Sequence, residues 1–125
     1  MFKISSNGII TLTRGDYATV PIFINANRGN RYEPIRYILQ DSSYERDKVY
    51  FAVMTPNTPF TEAEIRKIYT RADLNRYGDV VVTFNPEDTA NLLPGLYYYE
   101  VKLSIQKNNK EYIDTIIARR KFYLE

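Results

Sequence analysis

Residues Asn85 to Ile105 read NPEDTANLLPGLYYYEVKLSI, a polar turn, a Pro-Gly punctuation and a long alternating strand in unbroken succession. Asp88 and Thr89 are residue types that cap helical turns and close loops through side-chain oxygens, and Pro94-Gly95 stops the turn before extended chain. Beyond Gly95 the side chains alternate. Tyr97, Tyr99, Val101, Leu103 and Ile105 share one face, and Tyr98, Glu100, Lys102, Ser104 and Gln106 share the other, which is the period of a half-buried strand. Asp88, Thr89, Gly95 and Tyr97 are therefore read as a structural corner, with Tyr97 and Tyr99 directed into a core and Tyr98 left outside.

Turn signals recur on both sides of this segment at spacings of roughly 8 to 12 residues, with alternating segments between them, the pattern of a sandwich or barrel. Toward the N-terminus, extended chain is expected at Phe2 to Ile4, Ile9 to Thr13 and Ala18 to Ile24, separated by Asn7-Gly8 and Arg14-Gly15-Asp16. Pro21 removes a ladder donor, so its strand belongs at an edge or carries a bulge. Asn25 to Arg31 reads as a polar loop, Ile35 to Leu39 as a strand, Gln40 to Asp47 as a second loop, and Val49 to Met54 as a strand with Val49, Phe51 and Val53 inward. Thr61 to Thr70 carries signals of both helix and strand. Thr61 with Glu64 matches a capping box and Ile65, Ile68 and Tyr69 lie at helical spacing, but Ile, Tyr and Thr favour strands. The expectation is one turn at Thr61 to Glu64 and then a strand to about Thr70, with a helix as the alternative.

Tyr77-Gly78-Asp79 turns the chain into a Val-rich strand, Val80 to Phe84. After the opening segment, Lys107 to Lys110 reads as a hairpin loop, Tyr112 to Ile117 as a returning strand and Phe122 to Leu124 as the last one. Arg119-Arg120-Lys121 breaks the alternation between them, which implies a bulge or an edge. Buried Tyr97 behind an acidic turn is the arrangement of a tyrosine corner. The expected fold is all-β, an immunoglobulin-like antiparallel β-sandwich of about 7 to 9 strands, in a single domain over residues 1–125.

Composition narrows the function classes. A chain of 125 residues can bury one adequate core without staples, and 44% apolar with 26% charged residues suggests neither disorder nor a membrane span. No basic, apolar leader ending in a small-residue cleavage site is visible. With no cysteine and no histidine, disulfides, thiolate chemistry and the commonest general base and metal ligand are all excluded. No enzyme and no cofactor is expected. The net charge of +2 is too small to steer the chain toward nucleic acid or anionic lipid. Twelve tyrosines against no tryptophan suit sheet faces and protein interfaces.

Individual motifs add little chemistry. Arg14-Gly15-Asp16 spells an integrin-binding tripeptide, but strands resume within a residue or two on each side, so it reads as turn chemistry. Asp41, Glu45 and Asp47 could offer oxygens to calcium, yet their spacing matches no EF-hand and Arg46 and Lys48 lie among them. Glu62 with Glu64, and Glu87 with Asp88, are poorly placed as catalytic carboxylate pairs, and Asp88 is better read as binding backbone amides. Arg119, Arg120 and Lys121 with Phe122 and Tyr123 mix charge and aromatics as single-strand nucleic-acid surfaces do, but three cations also serve to protect an edge strand. Pro21, Tyr98, Arg119, Arg120 and Lys121 are the candidate partner-docking residues, and no metal ligands are assigned.

The order of features resembles a family of small bacteriophage virion proteins related to the N-terminal domain of upper baseplate proteins. The resemblance rests on Gly15-Asp16 before an alternating strand, Val49-Tyr50-Phe51-Ala52-Val53, Ala63-Glu64-Ile65-Arg66-Lys67 and Gly78 before a Val-rich strand. It continues through Glu87-Asp88-Thr89, Gly95 with Tyr97 and Tyr99, and Asp114-Thr115-Ile116. It implies a non-catalytic assembly or attachment module of the virion, in the baseplate or tail, the neck or the head, resident in the host cytoplasm before assembly. The partners it implies are other virion proteins, with a homo-oligomer open. The rival expectation is a cellular binding module recognising carbohydrate or a surface protein through Asn25 to Arg31 and Gln40 to Asp47.

Overall fold

The computed structural model describes residues 1–22, 25–28, 31–34, 47–76, 79–107 and 109–125. Ten strands occur among them: β1 Phe2–Ile4, β2 Ile10–Leu12, β3 Ala18–Ile22, β4 Asn25–Arg28, β5 Arg31–Pro34, β6 Lys48–Met54, β7 Ile65–Tyr69, β8 Val80–Phe84, β9 Gly95–Lys107 and β10 Lys110–Leu124. Single helical turns lie at Phe60–Glu62, Arg71–Asp73 and Pro86–Thr89. The strand expected over Ile35 to Leu39, all of the second loop but Asp47, and Tyr77-Gly78 fall outside the described residues.

Six strands form one curled sheet in the order β1-β2-β10-β9-β6-β7, and β3 with β8 form a second, smaller sheet. The first sheet is mixed, which corrects the antiparallel expectation. β10 runs parallel to β2, pairing Phe122 with Ile10 and Leu124 with Leu12, while β9–β10, β6–β9 and β6–β7 are antiparallel. Alternation in a sequence is the same for either direction, whereas parallel pairing needs a long connection, which the chain between β2 and β10 supplies.

Alternation places the core between these two sheets. Val49, Phe51 and Val53 of β6, Tyr97, Tyr99, Val101 and Leu103 of β9, and Phe122 and Leu124 of β10 meet Ala18, Val20, Val80, Val82 and Phe84 of the second sheet in one cluster. Phe84 sits at its centre, with ring centroids 5.6 Å from both Phe51 and Phe122. Such aromatic pairs contribute about 0.5–1.5 kcal/mol each beyond their burial.

Several expectations change. The loop expected over Asn25 to Arg31 is extended at its described residues, Asn25–Arg28 and Arg31, because β4 pairs antiparallel with β5 from Asn25–Pro34 to Arg28–Arg31. Backbone ladders form whatever the polarity of the side chains, and β-propensity is a weak guide to them. The Thr61–Glu64 capping box is not what closes its turn. Instead Glu62 and Ala63 donate backbone bonds to Pro59 and Phe60 at 3.0 and 3.3 Å, the Glu64 amide donates to the Val53 carbonyl at 2.8 Å, and the strand β7 follows. Pro21 lies in an unbroken ladder opposite Val81, on a strand paired only with β8 among the described residues.

The segment around Arg119 is bulged within one continuous strand. Register shifts fall between Thr115 and Ile117 and between Ile117 and Arg120, so Ala118 and Arg119 together face Glu100. The extra residues bend the strand and raise its twist. They also keep Ile117, Phe122 and Leu124 all on the core side. The edge reading is corrected in part: β10 is flanked by both β2 and β9 at Phe122 to Leu124, and by β9 alone among the described pairings before that.

Candidate docking face and inter-sheet cavity

The corner is held by side-chain oxygens on backbone amides. Asp88 accepts from the Asn85 amide at 2.7 Å and from the Lys67 ammonium at 2.7 Å, joining the Pro86–Thr89 turn to β7. Pro86 at the first helical position suits the fixed φ of proline. Thr89, fully buried, accepts from the Gly15 amide at 2.8 Å. Gly95 opens β9 at a φ of 149°, in the region that favours glycine. Two residues on, the Tyr97 hydroxyl donates to the Leu93 carbonyl at 2.6 Å, the return bond that defines a tyrosine corner. Burial, with a smaller contribution from the Glu64 charge, raises the Tyr97 pKa.

Arg14-Gly15-Asp16 is tied into the same corner. The Arg14 amide donates to Glu125 at 2.8 Å, Gly15 takes a φ of 82°, and Asp16 pairs with the Met1 ammonium. Asp47, nearly fully buried, accepts from the Gln106 amide at 2.9 Å and so ties the start of β6 to β9. Asp41 and Glu45 lie outside the described residues.

The structure separates the five docking candidates into three settings. Arg119 is used internally. Its Nε donates to Glu100 at 2.7 Å, and its two terminal nitrogens donate to the Pro56 and Thr58 carbonyls at 3.2 and 2.5 Å. Glu100, 8% exposed, also has Lys102 at 3.6 Å, and Lys102 lies 4.7 Å over the Phe60 ring. These contacts fold residues 55–62 across the outer face of the main sheet, which explains why Ala52 and Met54, directed away from the core, are both fully buried.

Tyr98 and Lys121 come together. They are direct cross-strand partners on the outer face, and the next outward pair is Leu96 with Tyr123, each 37% exposed. The row continues through Thr11 beside Tyr123 to Lys3 beside Thr11. Neither Lys3 nor Lys121 has an acidic partner among the described residues. Leu96 and Lys3 were not singled out by the sequence, and Tyr123 was named only beside the cations at Arg119 to Lys121. Alternation puts Leu96 with Tyr98, but only the register between strands places Lys121 and Tyr123 beside them and Lys3 at the end of the row.

Pro21 and Arg120, both exposed, meet at the mouth of an inter-sheet pocket. Arg120 pairs with Tyr99 in register and shares with Pro21 the lining of a cavity of about 130 Å³ between the two sheets. Its walls include Ile10, Val20, Val82 and Ile117. The Tyr99 hydroxyl donates to the Gly8 carbonyl. Burial raises the Tyr99 pKa, opposed by a side-chain hydrogen bond with Arg120 and by the Arg120 charge.

Among the described residues no group of three or more acidic side chains could hold a metal ion, and no helix is long and apolar enough to cross a membrane. Comparison with known proteins matches no family model, and it finds no significantly similar curated protein or solved structure.

Proposed function

We propose that this chain is a non-enzymatic bacteriophage virion structural protein, an assembly or attachment module of the baseplate or tail, the neck or the head. In this reading it is an immunoglobulin-like β-sandwich, supported by the shared core of two sheets and by the Tyr97–Leu93 hydrogen bond. The observation that carries the docking role is the outer-face row of Tyr98, Lys121, Leu96, Tyr123 and Lys3. Half-exposed aromatic and aliphatic side chains flanked by uncompensated lysines form an apolar centre with a basic rim, which fits a virion protein bearing an acidic surface.

The test uses purified protein and purified phage particles. The wild-type chain is expected to co-sediment with particles or with an isolated particle protein, and Tyr98→Ala with Lys121→Glu to abolish this at unchanged melting temperature. A wild-type chain that binds no particle component removes the virion reading. Binding that survives the double substitution removes this face as the docking site.

A further inference from the structure

We propose that the cavity between the two sheets binds a small apolar carboxylate, with a benzene-sized body inside and its anionic group on Arg120. About 130 Å³ of space lined by Ile4, Ile10, Val20, Val82, Val101 and Ile117 has room for a benzene-sized group, and it opens to solvent where Ile4, Pro21 and Arg120 are exposed. An apolar guest of matching shape displaces water from these apolar walls and gains dispersion contacts with them.

Arg120 supplies the polar end. Its bulged strand turns it inward opposite Tyr99, and its side chain lies against the Asn7-Gly8 turn. A Cβ on Gly8 would stand 2.5 Å from its Nη1 and 2.8 Å from its Cδ, so the absence of a side chain there leaves the space that the guanidinium occupies. The neighbour at the rim is the neutral phenol of Tyr99, and no carboxylate among the described residues pairs with Arg120. A guanidinium beside an apolar cavity and without an anion matches a carboxylate in charge and in planar, bidentate geometry.

The site is independent of the outer docking face, which lies across the sheet. Benzoate and its neutral analogue benzyl alcohol are the probes, titrated into the full chain and followed by the methyl resonances of Ile4, Ile10 and Ile117. Benzoate should give saturable shifts at these methyls, and Arg120→Gln should weaken it by at least about tenfold while leaving benzyl alcohol within about twofold. Arg120→Lys, which keeps the charge without the fork, should fall between. Absence of saturable benzoate shifts in the wild-type chain overturns the proposal, as does equal weakening of both probes by Arg120→Gln. The melting temperature of each variant shows that the fold is intact.

Discussion

At the scale of single residues, tyrosine hydroxyls and buried carboxylates each close one tertiary link. Tyr97→Phe deletes the bond to Leu93 with little change of shape, so a loss of about 1 kcal/mol is expected in denaturant unfolding. Arg119→Ala should cost more, about 1–3 kcal/mol, because it leaves the Glu100 carboxylate with Lys102 alone and releases two loop carbonyls. Proteolysis within residues 55–62 should quicken in the same variant. Burial raises the pKa of Tyr69, Tyr97 and Tyr99, so the folded chain holds these phenolic protons more tightly than the unfolded chain does. Their contribution is therefore fully present below the unfolded value of about 10 and is lost as pH rises through the folded values. Unfolding free energy should decline above about pH 10, and less steeply in Tyr99→Phe. An equal slope in the variant would contradict this.

At the scale of elements, β10 joins two regimes in one strand. Near its end it is flanked by β2 and β9 and sends Phe122 into the core against Phe84, whereas Ile113 near its start is 49% exposed. Phe122→Ala should cost about 3–5 kcal/mol, and Ile113→Ala within about 0.5 kcal/mol, in urea or guanidinium unfolding. Asp88→Ala removes the acceptor of both the Asn85 amide and the Lys67 ammonium, and a loss of about 1–2 kcal/mol is expected. The corner and the strand after it were legible in the sequence, because side-chain capping and two-residue alternation are local properties. So was the interruption at Arg119 to Lys121. That it would be two bulges inside one strand was not legible, since a bulge is defined by the partner it mismatches. The extended chain from Asn25 carried no apolar alternation at all, and its pairing with β5 rests on backbone groups that composition does not mark.

At the scale of the whole molecule, the arrangement of sheets sorts the exposed residues into surfaces. Particle binding through Tyr98 and Lys121 should weaken as salt rises from low to physiological concentration, because Lys3 and Lys121 act through solvent-exposed charge. Binding measured across that range checks the role of the basic rim, and a salt-independent affinity would leave only the apolar centre. The sequence by itself determined the all-β class, the inward and outward faces of β6 and β9, and the chemistry of the corner around Asp88 and Tyr97. Each of these depends on neighbours a few residues apart. Only the tertiary structure decided that β10 runs parallel to β2, that Arg119 is spent on Glu100 and two carbonyls, and that Tyr98 stands beside Lys121 while Arg120 faces a cavity with Pro21. Those outcomes follow from register and bulge position between strands, where shifting a strand by one residue exchanges its core and solvent faces without altering any local pattern.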